Sequence, residues 1–343
     1  MNLWWFLPLV SILSWFLTGF LRRYALKQNL LDVPNARSSH SVVTPRGGGL
    51  SIVLIFLLSV TLLFVFSGMP FDIFMALFGG GVLVSGIGFW DDHGHVSARW
   101  RILVHFTAAL WAMAWLDGLP LIPIGNVQLD MGWFGYLVGA LLIVWLLNLF
   151  NFMDGIDGIA GVEAVSIAGS AALILIIMDV QNQPLWLGLI VAACLGFLVW
   201  NWPPARIFMG DAASGFLGFV LGVFMMIAAS DGFIPIWAWL TLFGVFFVDA
   251  TVTLIRRFSA GKKWYEAHCS HAYQHAARYC GSHKAVTLTV LIINVVWLLP
   301  LALFGSLFQQ WSLFMMIIAY VPLVVLALRF NAGLDIEELS ISG

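Results

Sequence analysis

Five aspartates in three separate parts of the chain have the spacing of residues that could hold a metal ion and a phosphate group. They are the adjacent Asp91 and Asp92, the pair Asp154 and Asp157, and the single Asp211. Adjacent carboxylates repel one another unless one binds a proton or a cation lies between them. Mg²⁺ prefers oxygen ligands and commonly keeps substrate phosphates in its coordination shell. These residues are therefore candidates for binding Mg²⁺ and a diphosphate, although two solvated acids at a helix end would also explain Asp91 and Asp92.

The segment from residue 148 to residue 158 places polar side chains at intervals of three. Asn148, Asn151 and Asp154 would share roughly one face of a helix. Gly155 and Gly158 would let the backbone approach a ligand closely. The segment is a candidate for substrate binding and catalysis. A polar seam, in which asparagine amides bond neighbouring helices, is the structural alternative.

Asp211 ends a hydrophilic connection that begins at Asn201 and stands where the next apolar stretch starts. An ordinary helix cap would explain Asp211 by itself. A metal-binding role gains weight because the same face of the protein is expected to carry the other two acidic pairs.

The first hydrophilic segment of the chain could bind phosphate. It contains Arg37, His40 and Arg46 and then three glycines centred on Gly48. Backbone N–H groups in a glycine-rich turn before a helix can hold phosphate oxygens. A flexible basic loop is the alternative, but it would not explain the glycines.

A later hydrophilic segment contains His268, His271 and Arg278. Histidine and arginine side chains of this kind are suited to binding a diphosphate. Asp249 precedes Arg256 by two helical turns in the apolar stretch before this segment, and the spacing predicts an ion pair between the two.

The composition indicates what must position these residues. Of 343 residues, 62% are hydrophobic and only 9% are charged, and the mean hydropathy is +0.98. Soluble domains carry roughly a quarter charged residues, so this class is excluded. Alternation every second residue, which an outer-membrane barrel requires, is absent. The sequence predicts an all-α polytopic membrane protein with a single domain over residues 1–343.

Runs of about 20 apolar residues predict eleven transmembrane helices. The predicted spans are 3–20, 47–66, 72–90, 102–117, 133–152, 159–178, 185–201, 212–229, 235–255, 285–305 and 311–328. When successive loops are assigned alternately to the two sides of the membrane, all 15 Lys and Arg residues fall on the same side. The positive-inside rule makes that side cytoplasmic, with the N-terminus periplasmic and the C-terminus cytoplasmic. The predicted active face consists of loops at about 21–46, 91–101, 153–158, 202–211 and 256–284.

Taken together, the motifs resemble the polyprenyl-phosphate N-acetylhexosamine-1-phosphate transferases of glycosyltransferase family 4. That family includes enzymes that initiate O-antigen and teichoic-acid synthesis and is related to phospho-N-acetylmuramoyl-pentapeptide transferase. The matching stretches, in the family's order, are residues 37–40 with 44–49, residues 91–92, residues 148–158, residues 201–211 and residues 268–271.

The resemblance implies a reaction at a bacterial inner membrane. A UDP-N-acetylhexosamine would give its sugar-1-phosphate to undecaprenyl phosphate, releasing UMP and forming an undecaprenyl-diphospho-sugar for O-antigen, lipopolysaccharide or a related glycan. Mg²⁺ would be the metal, with Mn²⁺ as a substitute. The partners would be these two substrates and the lipid bilayer, with no nucleic acid, and a homodimer is left open.

The resemblance also implies roles for individual residues. Asp91 and Asp92 would lie near Mg²⁺ and the lipid phosphate, with Asp91 a candidate general base. Asp211 would bind Mg²⁺, with Asp92 and Asp154 as further ligands, while Asp154 and Asp157 would be catalytic or orient the nucleotide. The substrate-binding residues would be Arg37, His40, Arg46, Gly48, Asn148, Asn151, Asn201, His268, His271 and Arg278.

Two departures separate the chain from the pentapeptide-transferase branch. That branch has three consecutive histidines, and a lysine soon after its acidic pair, where this chain has residues 268–271 and 91–95. The O-antigen-initiating branch fits better, with UDP-GlcNAc or a deoxy relative such as UDP-FucNAc or UDP-QuiNAc as donor. The pentapeptide transferase, a transporter of an anionic or lipid-linked substrate, and a membrane metal hydrolase are the alternatives. A transporter would need polar groups at mid-depth and on both sides.

Overall fold

The structure is a computed structural model that describes residues 3–34, 39–40, 42–94, 96–262 and 268–335. Arg37, for which a substrate-binding role is predicted, lies outside the described residues.

The described part of the chain is built almost entirely of helices. They are α1 (Phe6–Lys27), α2 (Leu50–Ser67), α3 (Phe71–His93), α4 (Ala98–Trp115), α5 (Phe134–Met153), α6 (Ile159–Ile177), α7 (Gln183–Asn201), α8 (Asp211–Ser230), α9 (Ile236–Leu242), α10 (Gly244–Ser259), α11 (Ala272–Cys280), α12 (His283–Ile292), α13 (Leu299–Leu307) and α14 (Ser312–Arg329). A π-helical segment, Ile293–Leu298, joins α12 to α13, and a 3₁₀ turn, Gln309–Trp311, precedes α14.

Each of the eleven predicted spans falls on a helix or on consecutive helices. Nine described helical segments are long and apolar enough to cross a membrane, and α9 with α10, which meet at an angle of 83°, make a tenth if counted as one span. The remaining predicted span lies on α4, which carries Arg99 and Arg101 in its first turn and does not satisfy the same test. The structure therefore supports nine or ten spans on length and composition, and the count of eleven and the orientation of the termini stay predictions.

Helix α8 lies at the centre of the bundle. All residues from 212 to 228 are buried, and α8 packs against α3 on one side and α5 on the other. Glycines allow this close approach: a Cβ on Gly218 would lie 2.4 Å from the carbonyl oxygen of Leu146 in α5, and one on Gly88 would lie 2.6 Å from that of Asp211. The ends of α3 and α5 and the start of α8 are thus brought together.

Backbone hydrogen bonds join two loops beside these helix ends. Strand β1 (Leu31–Asp32) pairs antiparallel with β2 (Thr44–Pro45). The N–H groups of Gly48 and Gly49 donate to the carbonyl oxygens of Phe208 and Met209, each at 2.9 Å. The segment before α2 is therefore fixed to the segment before α8. A second hairpin, β3 (Ile122–Ile124) with β4 (Val127–Leu129), lies between α4 and α5 at the opposite end of the bundle.

Candidate active site

A cavity of about 240 Å³ opens where α3, α5 and α8 meet, and we call it the active cavity. It is lined by Asp32, Ser39, His40, Arg46, Asp92, Asp154, Gly155, Ile156, Asp157, Asn201, Phe208, Met209, Gly210, Asp211, Gln274 and His283. Seven of these residues have roles predicted from the sequence: His40, Arg46, Asp92, Asp154, Asp157, Asn201 and Asp211. The structure therefore brings together residues from all five predicted loops. The residues with predicted roles come from four of these loops, and Gln274 and His283 come from the fifth.

Asp92 fixes the start of α8. Its Oδ1 accepts a hydrogen bond from the N–H of Asp211 at 3.0 Å, and its Oδ2 accepts one from the N–H of Ala212 at 3.2 Å. The guanidinium of Arg46 donates to the backbone carbonyl of Asp92. A carboxylate that accepts two N–H groups in the first turn of a helix satisfies donors that would otherwise lack a partner. Asp211 is thus the first residue of a helix that another aspartate caps.

Asp91 does not line the active cavity. Its carboxylate accepts a hydrogen bond from Arg101 at 2.5 Å and another from the N–H of Val96 at 2.9 Å. The same Arg101 nitrogen lies 3.7 Å from Oδ2 of Asp211. Asp91 therefore orients a guanidinium towards Asp211, and its own oxygens are engaged.

Asp154 and Asp211 have the most available carboxylates. Asp154 follows the last residue of α5, and no hydrogen bond holds its side chain within the described residues. Burial, together with the charges of Asp211, Asp92 and Asp157, raises the pKa of Asp154 to about 7. The side chain of Asp211 is 40% exposed. Such an excess of negative charge favours a bound cation or proton.

The carboxylates of the active cavity fit an Mg²⁺ ion that is bound jointly by the protein and by phosphate groups of the substrate. Among the described residues, no three His, Cys, Asp or Glu side chains are arranged as a complete metal site. Mg²⁺ commonly takes only one or two protein carboxylates and fills the rest of its shell with water and substrate phosphates. Asp154 and Asp211 can supply the two carboxylates.

Asp157 and Asn201 hold one wall of the active cavity in place. Oδ2 of Asp157 accepts a hydrogen bond from the N–H of Ala205 at 3.0 Å. Asn201 uses both ends of its amide, accepting from the N–H of Gly158 at 3.0 Å and donating to the carbonyl of Ile207 at 2.9 Å. Gly158 has a φ of +76°, a left-handed conformation that favours glycine. The loop after α5 is therefore fixed to the loop before α8.

His40 and Arg46 bring nitrogen donors to the active cavity. The His40 ring lies edge-on to Phe208, with centroids 4.8 Å apart. Gly48, in contrast, does not line the active cavity. Its N–H is engaged by Phe208, and a Cβ at this position would lie 2.9 Å from Ile207. The predicted contact between the Gly48 N–H and a phosphate is thus replaced by a bond between two loops.

Asn148 and Asn151 do not line the active cavity either. The amide of Asn148 donates to the carbonyl of Val144 within α5, at 2.7 Å. Oδ1 of Asn151 accepts a hydrogen bond from the hydroxyl of Ser214 in α8, at 2.9 Å. The polar face predicted for α5 is thus divided: Asp154 reaches the active cavity, while Asn151 forms the polar seam that was the structural alternative.

Residues 268–278, which we call the histidine segment, lie beside the active cavity, and the three predicted residues in it do not line the cavity. Nδ1 of His268 is 3.1 Å from the hydroxyl of Ser270, and burial, with nearby His271 and Arg257, lowers the pKa of His268 to about 3. Arg278 donates to the carbonyl of Cys269 at 3.2 Å. The side chains of His268 and Arg278 are therefore engaged within the segment itself.

The ion pair predicted between Asp249 and Arg256 is not formed. Asp249 instead accepts hydrogen bonds from the N–H groups of Ala272 and Tyr273, both at 2.9 Å, and its Oδ1 lies 3.4 Å from Nδ1 of His271. Arg256 donates to the carbonyl of Ala332. Asp249 therefore caps α11, because a buried carboxylate gains more from several aligned donors than from a cation at the edge of the bundle.

Gln274 and His283 line the active cavity but were missed by the motif analysis. Gln274 forms a capping box with His271 at the start of α11, so a polar residue three positions after a helix start was its signal. His283 directly follows Ser282, whose hydroxyl caps α12, and this histidine carries no comparable spacing signal.

Comparison with known proteins agrees with these motifs. The model of glycosyl transferase family 4 matches residues 74–229. A protein of Bacillus subtilis strain 168 is called a probable undecaprenyl-phosphate N-acetylglucosaminyl 1-phosphate transferase. It is 28% identical in a 334-residue alignment that covers 93% of this chain and 90% of the relative. Over residues 74–229 the chain is similar to glycosyl transferase family 4.

Two further relatives show how far the similarity extends. The undecaprenyl-phosphate alpha-N-acetylglucosaminyl 1-phosphate transferase of Thermotoga maritima is 26% identical, over 84% of this chain and 88% of the relative. The phospho-N-acetylmuramoyl-pentapeptide-transferase of Moorella thermoacetica is 27% identical, over 40% of this chain and 43% of the relative. The stretch matched by glycosyl transferase family 4 contains all five aspartates of the sequence motifs.

Proposed function

We propose that the protein transfers N-acetylhexosamine-1-phosphate from a UDP-N-acetylhexosamine to undecaprenyl phosphate, with UDP-GlcNAc as the first donor to test. The observation that carries the proposal is the pair of available carboxylates, Asp154 and Asp211, which face one cavity together with Arg46 and His40. The names of the Bacillus subtilis and Thermotoga maritima relatives support this substrate class.

The reaction exchanges one phosphoanhydride for another. An oxygen of the lipid phosphate attacks the phosphorus that bears the sugar, the bond to the UMP oxygen breaks, and UMP leaves with that oxygen and its negative charge. Little covalent chemistry is required of the protein, so catalysis depends on aligning the reactants and stabilising charge.

In this proposal Asp154 and Asp211 bind Mg²⁺, which when bound neutralises charge on the diphosphate. Arg46 and His40, which line the same cavity, stabilise phosphate oxygens. Asp157 and Asn201 hold the loops between which the nucleotide binds. Asp92 keeps the start of α8, and with it Asp211, in register with the end of α3.

An apolar groove of about 180 Å³ beside the active cavity supports a lipid acceptor. Aliphatic side chains of α10, α12 and α14 line it, including Val248, Val290 and Leu323. Asp249 and Tyr273 also line the groove, and the residue after Tyr273, Gln274, lines the active cavity. Undecaprenyl phosphate has an anionic head joined to a long apolar tail, so its binding site requires a polar cavity next to an apolar groove.

We further propose that the active cavity faces the cytoplasm of a bacterial inner membrane, since UDP-sugars are cytoplasmic and the Lys and Arg residues assign this face by the positive-inside rule. The product would then be available to start an O-antigen, a lipopolysaccharide or a related glycan.

The test is release of UMP by purified protein in detergent, given undecaprenyl phosphate and a panel of donors with Mg²⁺ or EDTA. The panel contains UDP-GlcNAc, UDP-FucNAc, UDP-QuiNAc and UDP-N-acetylmuramoyl-pentapeptide. Release that requires both lipid phosphate and Mg²⁺ is the expected result, and it identifies the sugar. Release without lipid phosphate would indicate a hydrolase, and failure of the folded protein to release UMP from any donor would contradict the proposal.

A further inference from the structure

His283 connects two walls of the active cavity through one imidazole ring. It is the first residue of α12, and its side chain is 19% exposed. Nδ1 lies 3.4 Å from Oδ2 of Asp157, in the loop after α5. Nε2 lies 3.0 Å from the carbonyl oxygen of Ser39, in the loop before β2. The ring therefore bridges two loops that are distant in the sequence.

The chemistry of the ring suits this position in either protonation state. A carbonyl oxygen only accepts, so Nε2 carries a hydrogen and donates to Ser39. When Nδ1 is also protonated it faces the carboxylate of Asp157, and when it is not it can accept from the backbone N–H of Asp157 at 3.5 Å. Both forms keep the ring between the same two loops, so the bridge does not depend on a titration.

A second residue of α12 contacts the same aspartate. The hydroxyl of Thr287, one helical turn after His283, donates to the backbone carbonyl of Asp157 at 3.0 Å. The carboxylate of Asp157 also accepts from the N–H of Ala205. Thr287 and Ala205 would still hold Asp157 without the imidazole, but among the described residues neither is hydrogen-bonded to Ser39. His283 therefore supplies the link between the loop of Asp157 and the loop of Ser39, both of which line the active cavity.

We propose that His283 is a positioning residue, which acts through Asp157 and the Ser39 backbone to shape the binding site for the donor nucleotide. This inference rests on the proposed function. Hydrogen bonds that involve a charged group correspond to roughly a 10- to 100-fold change in an equilibrium. We expect His283→Ala to raise KM for the UDP-sugar by about 10-fold or more, with kcat within about threefold of the wild-type value.

Three variants separate the two contacts of the ring. The amide of asparagine reaches the position of Nδ1, so His283→Asn keeps a donor beside Asp157. The amide of glutamine reaches the position of Nε2, so His283→Gln keeps the contact with Ser39. Because Thr287 and Ala205 already hold Asp157, we expect His283→Gln, which keeps the contact with Ser39, to restore KM to within about threefold of wild type and His283→Asn to resemble His283→Ala. Added imidazole should lower KM for His283→Ala and leave the wild type unchanged.

The matched control is Tyr279→Ala, which removes an exposed ring from α11, outside the active cavity. Thermal unfolding midpoints establish that each variant is folded. Wild-type KM in all three His283 variants, or a defect that neither glutamine nor added imidazole reduces, overturns the positioning role. UMP release by the wild type would in that case leave the proposed transferase activity intact. Calorimetric binding of UMP gives a readout without turnover, and a wild-type protein that neither releases nor binds UMP overturns both proposals.

Discussion

The active cavity and the histidine segment both contain motif residues, but the two regions use their polar groups differently. In the active cavity, the carboxylates of Asp154 and Asp211 are available to a ligand. In the histidine segment, His271 lies against Asp249 and Arg278 donates to a backbone carbonyl. A motif residue is available for chemistry only where the fold leaves its donors or acceptors unengaged, because holding a loop in place uses the same groups.

The largest loss of activity should come from removing a negative charge in the active cavity. Asp154→Asn and Asp211→Asn each keep the size of the side chain but lose the negative charge proposed to hold the cation. We expect kcat/KM for UMP release to fall by about 100- to 1000-fold, the size of effect that follows loss of one group stabilising transition-state charge. The measurement is steady-state UMP release at saturating lipid phosphate.

Asp130→Asn is the control for this experiment. Asp130 is exposed in the turn after β4, at the end of the bundle opposite the active cavity, and its carboxylate accepts the N–H of Gly132. A loss of activity shared by all three variants would count against a special role for the active cavity.

Asp249 of α10 holds the histidine segment in place, and changing it should alter mainly the stability of the protein. Asp249→Ala leaves the N–H groups of Ala272 and Tyr273 without their acceptor in a buried place. We expect the free energy of unfolding to fall by about 3 kcal/mol, as for other broken buried charge contacts. Asp249→Asn keeps one acceptor oxygen and should lose less. Unfolding in mixed micelles measures both variants, and equal stability of the two would show that the cap is unimportant.

The smallest effects compare two arginines. Arg46 lines the active cavity, so Arg46→Ala should raise KM for the UDP-sugar about tenfold, corresponding to about 1.4 kcal/mol. Arg278 is exposed and contacts the carbonyl of Cys269, so Arg278→Ala should stay within about threefold, corresponding to less than about 1 kcal/mol. Initial rates over a range of UDP-sugar concentrations distinguish them. The reverse ranking would move the substrate phosphates from the active cavity to the histidine segment.

The helices and the convergence of the acids were predictable because both follow from long apolar runs. A membrane span has a fixed length, and alternating spans return every second loop to the same face, which places Asp92, Asp154 and Asp211 together before any contact is known. Helix α4 shows the limit of this reasoning, since Arg99 and Arg101 reduce its apolar character.

The partners of individual polar groups were not predictable from spacing. The ion pair expected for Asp249 was sought on its own helix, at Arg256, whereas its donors come from the start of α11. Asp92 likewise reaches across the bundle to cap α8. Periodicity identifies neighbours within one helix, but a contact between a helix end and a distant loop depends on how the helices pack.

The bonds from Gly48 and Gly49 to Phe208 and Met209 also have a consequence for biosynthesis. Their acceptors are made 160 residues after the donors, which at usual rates of translation is roughly 8 to 32 seconds. During that time the glycine-rich turn must leave its N–H groups to water at the membrane surface. A nascent chain that has not yet inserted α8 therefore has no closed active cavity, so premature binding of nucleotide is avoided by the order of synthesis alone.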